Sequence, residues 1–76
     1  MRARNMPEIL EIIKDILSPY IPGNIYDYHV ADALRIKHDT IASYKSRDTI
    51  PYRQILDFCL RTGINPINIF YRKDLT

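Results

Sequence analysis

The polar side chains between residues 37 and 43 carry the most chemical information in this chain. Helical spacing places them on one outward face, opposite the apolar Ile41 and Tyr44. The face comprises Lys37, His38, Asp39, Ala42 and Ser43, with Ser46 at its end. Lysine can donate to guanine, aspartate can accept from cytosine, histidine can do either, and an alanine methyl can pack on thymine. Such a short, polar and basic face has the chemistry needed to read base edges in a DNA major groove.

Basic and hydroxyl-bearing side chains around that face are candidates for binding a phosphate backbone. They are Arg35, Lys45 and Arg47, together with Tyr28 and Thr40. Residues 35–76 hold eight basic and four acidic side chains, whereas residues 1–34 hold three basic and five acidic ones. A positive half that begins beside the polar face indicates attraction to phosphate, which fixes register without reading sequence. The alternative interpretation is a solvated helix face with a cap at Lys37–Asp39.

Catalytic and metal-binding chemistry is poorly represented in the sequence. The candidates are His29, His38 and Cys59, and the histidines have no third histidine or cysteine at metal-ligand spacing. Cys59 falls on a predicted buried helix stripe, so we interpret it as a core residue rather than a nucleophile. Two glycines, Gly23 and Gly63, are too few for a glycine-rich phosphate loop. The sequence therefore predicts no enzymatic activity, no cofactor and no metal.

A helix, a sharp turn and a second helix are needed to position the polar face. The pattern predicts the first helix from about Asp27 to Leu34 and the second from about Lys37 to Ser46. The apolar positions of the pair are Val30, Ala31, Leu34, Ile36, Ile41 and Tyr44. Small Ala31 is expected where the helices cross most closely. Arg35 is expected to close the first helix with a positive φ, a conformation that favours glycine.

The segment VADALRIKHDTIASYKSRDTIPYRQILDFCLRTGINPINIF, residues 30–70, resembles the DNA-binding domain of the lambdoid-type phage CI repressor family. The helix pair has the family's Ala–x–x–Leu, turn and Ile pattern, followed by its later Ile and aromatic residue. The stretch IPYRQILDFCLRTGIN matches the family's next helix and its Gly–Ile exit. Arg35 departs from the pattern, because the family usually has glycine at that turn position.

This resemblance implies an all-α fold, a compact lambda-repressor-like bundle of about five short helices. It places base contacts on Lys37, His38, Asp39, Ala42 and Ser43. The implied partner is double-stranded DNA. A palindromic operator bound by a homodimer is expected from the apolar C-terminal segment and from the small footprint of one helix-turn-helix unit. The implied role is that of a prophage or bacterial transcriptional repressor, which would act in the bacterial cytoplasm.

The segment before the helix pair is predicted to pack against it. Residues 1–6 are expected to form a flexible arm, in which Arg2 and Arg4 could touch phosphate. A helix over residues 7–18 follows, and either Asn24 or Asp27 is expected to cap the next helix. The apolar stripe of the residue 7–18 helix is Ile9, Ile12, Ile13, Ile16 and Leu17.

Two further helices are predicted after the polar face. One covers residues 51–62 and ends at Gly63, and a short last helix opens at Asn65-Pro66 and runs to about Arg72. The first of them is expected to bury Ile55, Leu56, Cys59 and Leu60, with Tyr52 and Phe58 at its edges. No β-strand is expected, because a lone strand would have nothing to pair with.

Length and composition indicate one soluble globular domain. The chain has 76 residues, a hydrophobic content of 46%, a charged content of 26% and a net charge of +2. A single cysteine excludes an internal disulfide and favours a reducing compartment. No run of apolar residues is long enough to predict a membrane span, and the N-terminus does not predict a signal peptide.

A second hypothesis is a protein-interaction module, antitoxin-like or adaptor-like, built on the same helical scaffold. The C-terminal segment INPINIFYRKDL favours it to some extent, since Ile67, Ile69, Phe70 and Tyr71 are many apolar groups for one terminal helix. These four side chains either complete the core or form a homodimer interface.

Overall fold

Residues 2–72 are described by a computed structural model, and the all-α prediction is confirmed for them. Their five α-helices are α1 (Met6–Leu17), α2 (Asp27–Leu34), α3 (His38–Arg47), α4 (Tyr52–Thr62) and α5 (Ile67–Phe70). A 3-10 helix, Ser18–Tyr20, continues from α1. Two short antiparallel strands, β1 (Arg2–Ala3) and β2 (Tyr71–Arg72), join the two ends of the described chain. No helix within residues 2–72 is long and apolar enough to span a bilayer.

The core lies between α1, α2 and α4, with single side chains from α3 and α5. Its buried members are Met6, Ile9, Leu10, Ile13, Val30, Ala31, Leu34, Ile41, Ile55, Phe58, Cys59 and Ile69. Ala31 is fully buried on α2, as its small size predicts. On α1 the buried face is centred on Met6, Leu10 and Ile13, so Ile12, Ile16 and Leu17 are only half-buried. This helix is therefore rotated relative to the stripe predicted from its isoleucines.

Residues 2–4 of the arm that the sequence predicts over residues 1–6 lie against the segment at the end of α5. Arg2 pairs with Arg72 and Ala3 with Tyr71 in the antiparallel ladder. The Arg4 guanidinium donates to the carbonyl oxygens of Asn68 (2.6 Å), Ile69 (3.2 Å) and Tyr71 (3.0 Å). These carbonyls lie at the end of α5, where a helix leaves its acceptors without partners. Arg4 is thus engaged within the chain rather than presented to phosphate.

The prediction that no strand forms was wrong, and so was the end of the last helix. The helix stops at Phe70, and Tyr71 is already extended, with φ −128° and ψ 144°. The strand partner that the sequence reading lacked is the N-terminus, about seventy residues away. Ile69 is fully buried and Phe70 half-buried, whereas Ile67 and Tyr71 are exposed. Residues 73–76, included in the C-terminal segment, lie outside the described residues.

The buried stripe of α4 also differs from the prediction. Ile55, Phe58 and Cys59 are buried, at the i, i+3 and i+4 spacing of one helix face. Leu56 and Leu60 are instead exposed, to 43% and 85% of their surface. The helix has apolar residues on more than one face, so spacing alone did not determine which face turns inward.

A side-chain cap fixes the start of α1, and a different hydrogen bond lies at the start of α2. Asn5 caps α1 by accepting from the Glu8 N–H, and Glu8 accepts from the Asn5 N–H, which forms a capping box. Neither Asn24 nor Asp27 caps α2. The helix begins after Tyr26, whose N–H donates to Nδ1 of His29 at 2.9 Å. The His29 imidazole thus satisfies the N–H of the residue before the helix, as the third residue of a capping box does.

Candidate nucleic-acid interface

The turn between α2 and α3 has the left-handed conformation predicted at Arg35. Its φ is 58° and its ψ 43°. The Arg35 N–H donates to the Asp32 carbonyl (3.2 Å), and the Ile36 N–H donates to the Ala31 carbonyl (2.8 Å). These bonds use carbonyls that the end of α2 would otherwise leave free. The chain thereby reverses over three residues, and α3 begins at His38 against the core contact of Ile41.

The side chains predicted to read bases lie on the outer side of α3 and its turn. Lys37, His38, Asp39 and Ala42 are exposed and Ser43 is half-buried, while Ile41 on the opposite side is 2% exposed. Ser46 is exposed at the far end of the same helix. One face of α3 is therefore polar, accessible and short. Lys37 precedes the first helical residue and makes no side-chain capping hydrogen bond.

His38 is held by a residue that the sequence analysis did not single out. Its Nε2 lies 2.8 Å from Oδ1 of Asp32 on α2. Because a carboxylate can only accept, Nε2 carries the proton, and a neutral imidazole then presents Nδ1 as an acceptor. The Tyr28 ring lies beside this imidazole, with ring centroids 5.6 Å apart. Asp32 and Tyr28 thus limit the orientation in which His38 faces a ligand.

Lys45 is already paired within the chain. Its ammonium lies 3.1 Å from Oδ2 of Asp27, and the Lys14 ammonium of α1 lies 2.7 Å from Oδ1 of the same carboxylate. The close Lys14 ammonium, assisted by Lys45 and opposed by partial burial, holds the pKa of Asp27 below its ordinary value. Burial lowers the pKa of Lys14, but the Asp27 and Glu11 carboxylates outweigh it and raise that pKa overall. This cluster of Lys14, Asp27 and Lys45, the three-helix ion cluster, joins α1, α2 and α3.

Three other cations near α3 have no such partner within residues 2–72. Arg35, Lys37 and Arg47 are all exposed and form no ion pair with another described residue. They lie at the turn before α3, at its start and at its end. Thr40 is half-buried and Tyr28 is 44% exposed at the start of α2. Cations at both ends of a polar helix face suit a ligand that carries regularly spaced negative charge.

The structure thus brings together most of the residues predicted as a site and adds two that were missed. Asp32 orients His38, and Asp27 holds Lys45. Both partners belong to α2, and both contacts cross between helices. The sequence carries no local signal for these two pairs, because their members are six and eighteen residues apart. They come together only when α2 packs against α3.

Comparison of the chain with protein-family models, with curated proteins and with solved structures finds no match.

Proposed function

We propose that this chain binds double-stranded DNA in a sequence-specific manner, with α3 placed in the major groove. The observation that carries the proposal is the exposed polar face of α3, which follows a left-handed turn and is flanked by cations that form no ion pair within residues 2–72. An α-helix fits the width of the major groove, where every base pair presents a distinct pattern of donors and acceptors. The resemblance of residues 30–70 to phage CI repressors supports the same function.

The proposal divides the site into base contacts and phosphate contacts. Lys37, Asp39, Ala42 and Ser43 contact base edges, and His38 does so through the ring nitrogen that Asp32 leaves free. Arg35, Arg47 and the Tyr28 hydroxyl contact phosphates, with Thr40 at the margin. Lys45 contributes less positive potential than a free lysine, because Asp27 already offsets its charge.

The regulatory role proposed is that of a prophage or bacterial repressor acting on a palindromic operator. One α3 covers only a few base pairs, so a single unit reads too little sequence to define a site in a genome. A homodimer on two half-sites about one DNA turn apart, roughly 10 bp from centre to centre, doubles the length of DNA that is read.

The competing function is a protein-interaction module that makes no base contacts. The exposed apolar residues of α4 favour it, because they offer a contact surface to another protein. The two functions differ in whether duplex sequence affects binding. A module of that kind would leave the polar face of α3 solvated.

Selection of bound sequences from a pool of random duplexes tests the proposal. The DNA-reading function predicts an enriched motif, repeated with two-fold symmetry. A matched selection with a variant that carries Lys37→Ala and Ser43→Ala should lose or change that motif. Absence of binding to every duplex at low salt, or binding without enrichment, would contradict the proposal and favour the interaction module.

A further inference from the structure

An exposed ridge of apolar side chains runs along one flank of α4, next to the buried face of that helix. It consists of Tyr52, Leu56 and Leu60, which are 58%, 43% and 85% exposed. Residues four apart on a helix form a continuous row, the row used in the commonest class of helix packing. Leu60 is the most exposed of the large apolar side chains in the described chain. Contiguous exposed apolar side chains of this kind are a candidate contact site for another protein surface.

The apolar surface continues from the ridge to one side. Leu56 and Leu60 line a pocket of about 280 Å³ together with Cys59, Ile64 and Pro66, all apolar in the atoms that they present. On the other side of the ridge lie Arg53 and Asp57, both exposed. The surface therefore has an apolar half and a rim that carries one charge of each sign.

We propose that this ridge is the surface on which a second copy of the chain docks, with the two α4 helices antiparallel. The ridge has the symmetry that such a pairing requires, since Tyr52 and Leu60 each lie four residues from Leu56. A two-fold axis beside Leu56 sets Leu56 against Leu56 of the partner subunit. The same axis sets Leu60 against Tyr52 of the partner subunit. An isologous interface has to be self-complementary in this way.

The charged rim supports the same partner and the same direction. In an antiparallel pair, Arg53 of one chain lies on the same side of the interface as Asp57 of the partner subunit. With a rise of 1.5 Å per residue, they are about 3 Å apart along the helix axes. Arg53 forms no ion pair among the described residues. Asp57 uses only Oδ2 in its 3.0 Å contact with Arg61, so Oδ1 can accept from the partner subunit. Two symmetric ion pairs therefore form at the rim.

Arg61 does not compete for this rim. Its guanidinium donates to the Ala33 carbonyl at 2.8 Å as well as to Asp57, which fixes it on its own chain. One helix of eleven residues gives a smaller contact than the ~1,200–2,000 Å² of a stable complex. Association in solution is therefore weak, and adjacent half-sites on DNA would strengthen it. The inference rests on the proposed function only for that last effect.

Sedimentation equilibrium of the protein alone tests the interface without DNA. The wild-type chain should self-associate, and Leu60→Glu should weaken association by about tenfold or more, because each dimer loses two buried leucines. The matched control is Tyr20→Glu, since Tyr20 is 81% exposed on the 3-10 helix and outside the ridge. It should associate as the wild type does. A wild type that stays monomeric at millimolar concentration, or a Leu60→Glu variant that associates normally, would overturn the proposal.

A pair of charge variants tests the antiparallel direction. Arg53→Asp gives a rim with two acidic residues, and Asp57→Arg gives a rim with two basic ones. Each variant should self-associate several-fold more weakly than the wild type, and an equimolar mixture should form a heterodimer. Contacts within one chain cannot restore association in the mixture, because each chain still carries two like charges on its own rim. Only pairing between the two different chains brings opposite charges together. A mixture that associates no better than its components would overturn the antiparallel pairing.

A failure of this interface and a failure of the DNA proposal give different results. A monomeric chain that still binds a single half-site would refute only the ridge contact. A chain that dimerises through Leu60 and binds no duplex would refute only the DNA function.

Discussion

Two residues other than glycine adopt the left-handed conformation among those described, and they differ in the contacts of their side chains. Arg35 has a φ of 58° and Asp48 a φ of 52°. The Arg35 side chain forms no hydrogen bond within residues 2–72. Oδ1 of Asp48 accepts from the Met6 N–H at 2.6 Å, at the start of α1. The strain at Arg35 is therefore not offset by a side-chain contact of this kind, whereas the strain at Asp48 is offset by a charge-assisted bond.

Arg35→Gly should stabilise the free domain and weaken its binding to DNA. Left-handed φ costs a non-glycine residue about 1–2 kcal/mol, and the greater unfolded-chain entropy of glycine costs roughly 0.5–1 kcal/mol. The difference is a gain of a few tenths to about 1 kcal/mol, visible as a rise of a few degrees in Tm. The substitution also removes the guanidinium that we propose to contact phosphate, so the affinity for DNA should fall. Thermal melts and operator titrations check the two effects separately.

Asp48→Gly provides the contrast, because it removes strain and a hydrogen bond together. We expect a net loss of about 1–2 kcal/mol, since a hydrogen bond to a charged group contributes ~1.5–3 kcal/mol. Asp48→Asn should retain most of the stability, since it keeps an acceptor and tolerates the left-handed region. A melting temperature that falls for Arg35→Gly as much as for Asp48→Gly would show that strain at Arg35 is negligible.

At the scale of elements, the three-helix ion cluster holds α3 in place behind its polar face. Asp27 forms ion pairs with Lys14 on α1 and with Lys45 on α3, and its carboxylate is only 30% exposed. Its pKa is lower in the folded protein than in the unfolded chain. Its contribution to stability is therefore complete above the unfolded pKa of about 3.9 and is lost as the pH falls through the lower, folded value.

Asp27→Asn should accordingly destabilise the domain by about 1–2 kcal/mol at pH 7 and reduce the loss of stability between pH 4 and lower values. Some loss should remain, because the Asn5 backbone together with Arg2 and Arg72 also lowers the pKa of Glu8, against a smaller effect of burial. Asp15→Asn is the matched control, as Asp15 is exposed on α1 and forms no ion pair among the described residues. Urea unfolding across this pH range measures both variants, and identical pH profiles would contradict the role of the cluster.

The sequence predicted elements with local signals and missed contacts between distant segments. The bounds of α2 are reproduced, and those of α3 and α4 agree within one residue, because turn residues and Gly63 mark them locally. The β1–β2 ladder joins segments at opposite ends of the chain, so no local sequence pattern predicts it. The face of α4 was ambiguous because Leu56 and Leu60 extend an apolar surface that already includes Ile55, Phe58 and Cys59.

In the candidate site, too, the features with a local sequence signal were predicted and the contacts between helices were not. The outward face of α3 could be predicted, because its residues alternate with the core position Ile41 at helical spacing. The partners Asp27 and Asp32 could not, because they depend on how α2 is placed against α3. The position of the polar face of α3 thus follows from local sequence, whereas its ion pairs and hydrogen bonds depend on the packing of α2 against α3.

At the scale of the whole molecule, binding to DNA should depend steeply on salt. Each phosphate neutralised contributes a slope of about −0.9 to a plot of log affinity against log salt. Arg47→Ala should make the slope shallower by about one contact. Lys45→Ala should change it less, because the Lys45 ammonium is already balanced by Asp27. Fluorescence anisotropy over a range of salt concentrations gives the three slopes, and equal slopes would contradict the assigned division of charge.

The central claim is that α3 distinguishes base pairs while the cations around it hold the backbone. The most direct test is to measure the affinity of Lys37→Ala, Ser43→Ala and Arg47→Ala for the selected operator and for random duplex DNA. The first two variants should lose about 1–3 kcal/mol on the operator and little on random DNA, whereas Arg47→Ala should weaken both alike. Equal losses from all three variants on both DNAs would show that α3 does not read the sequence.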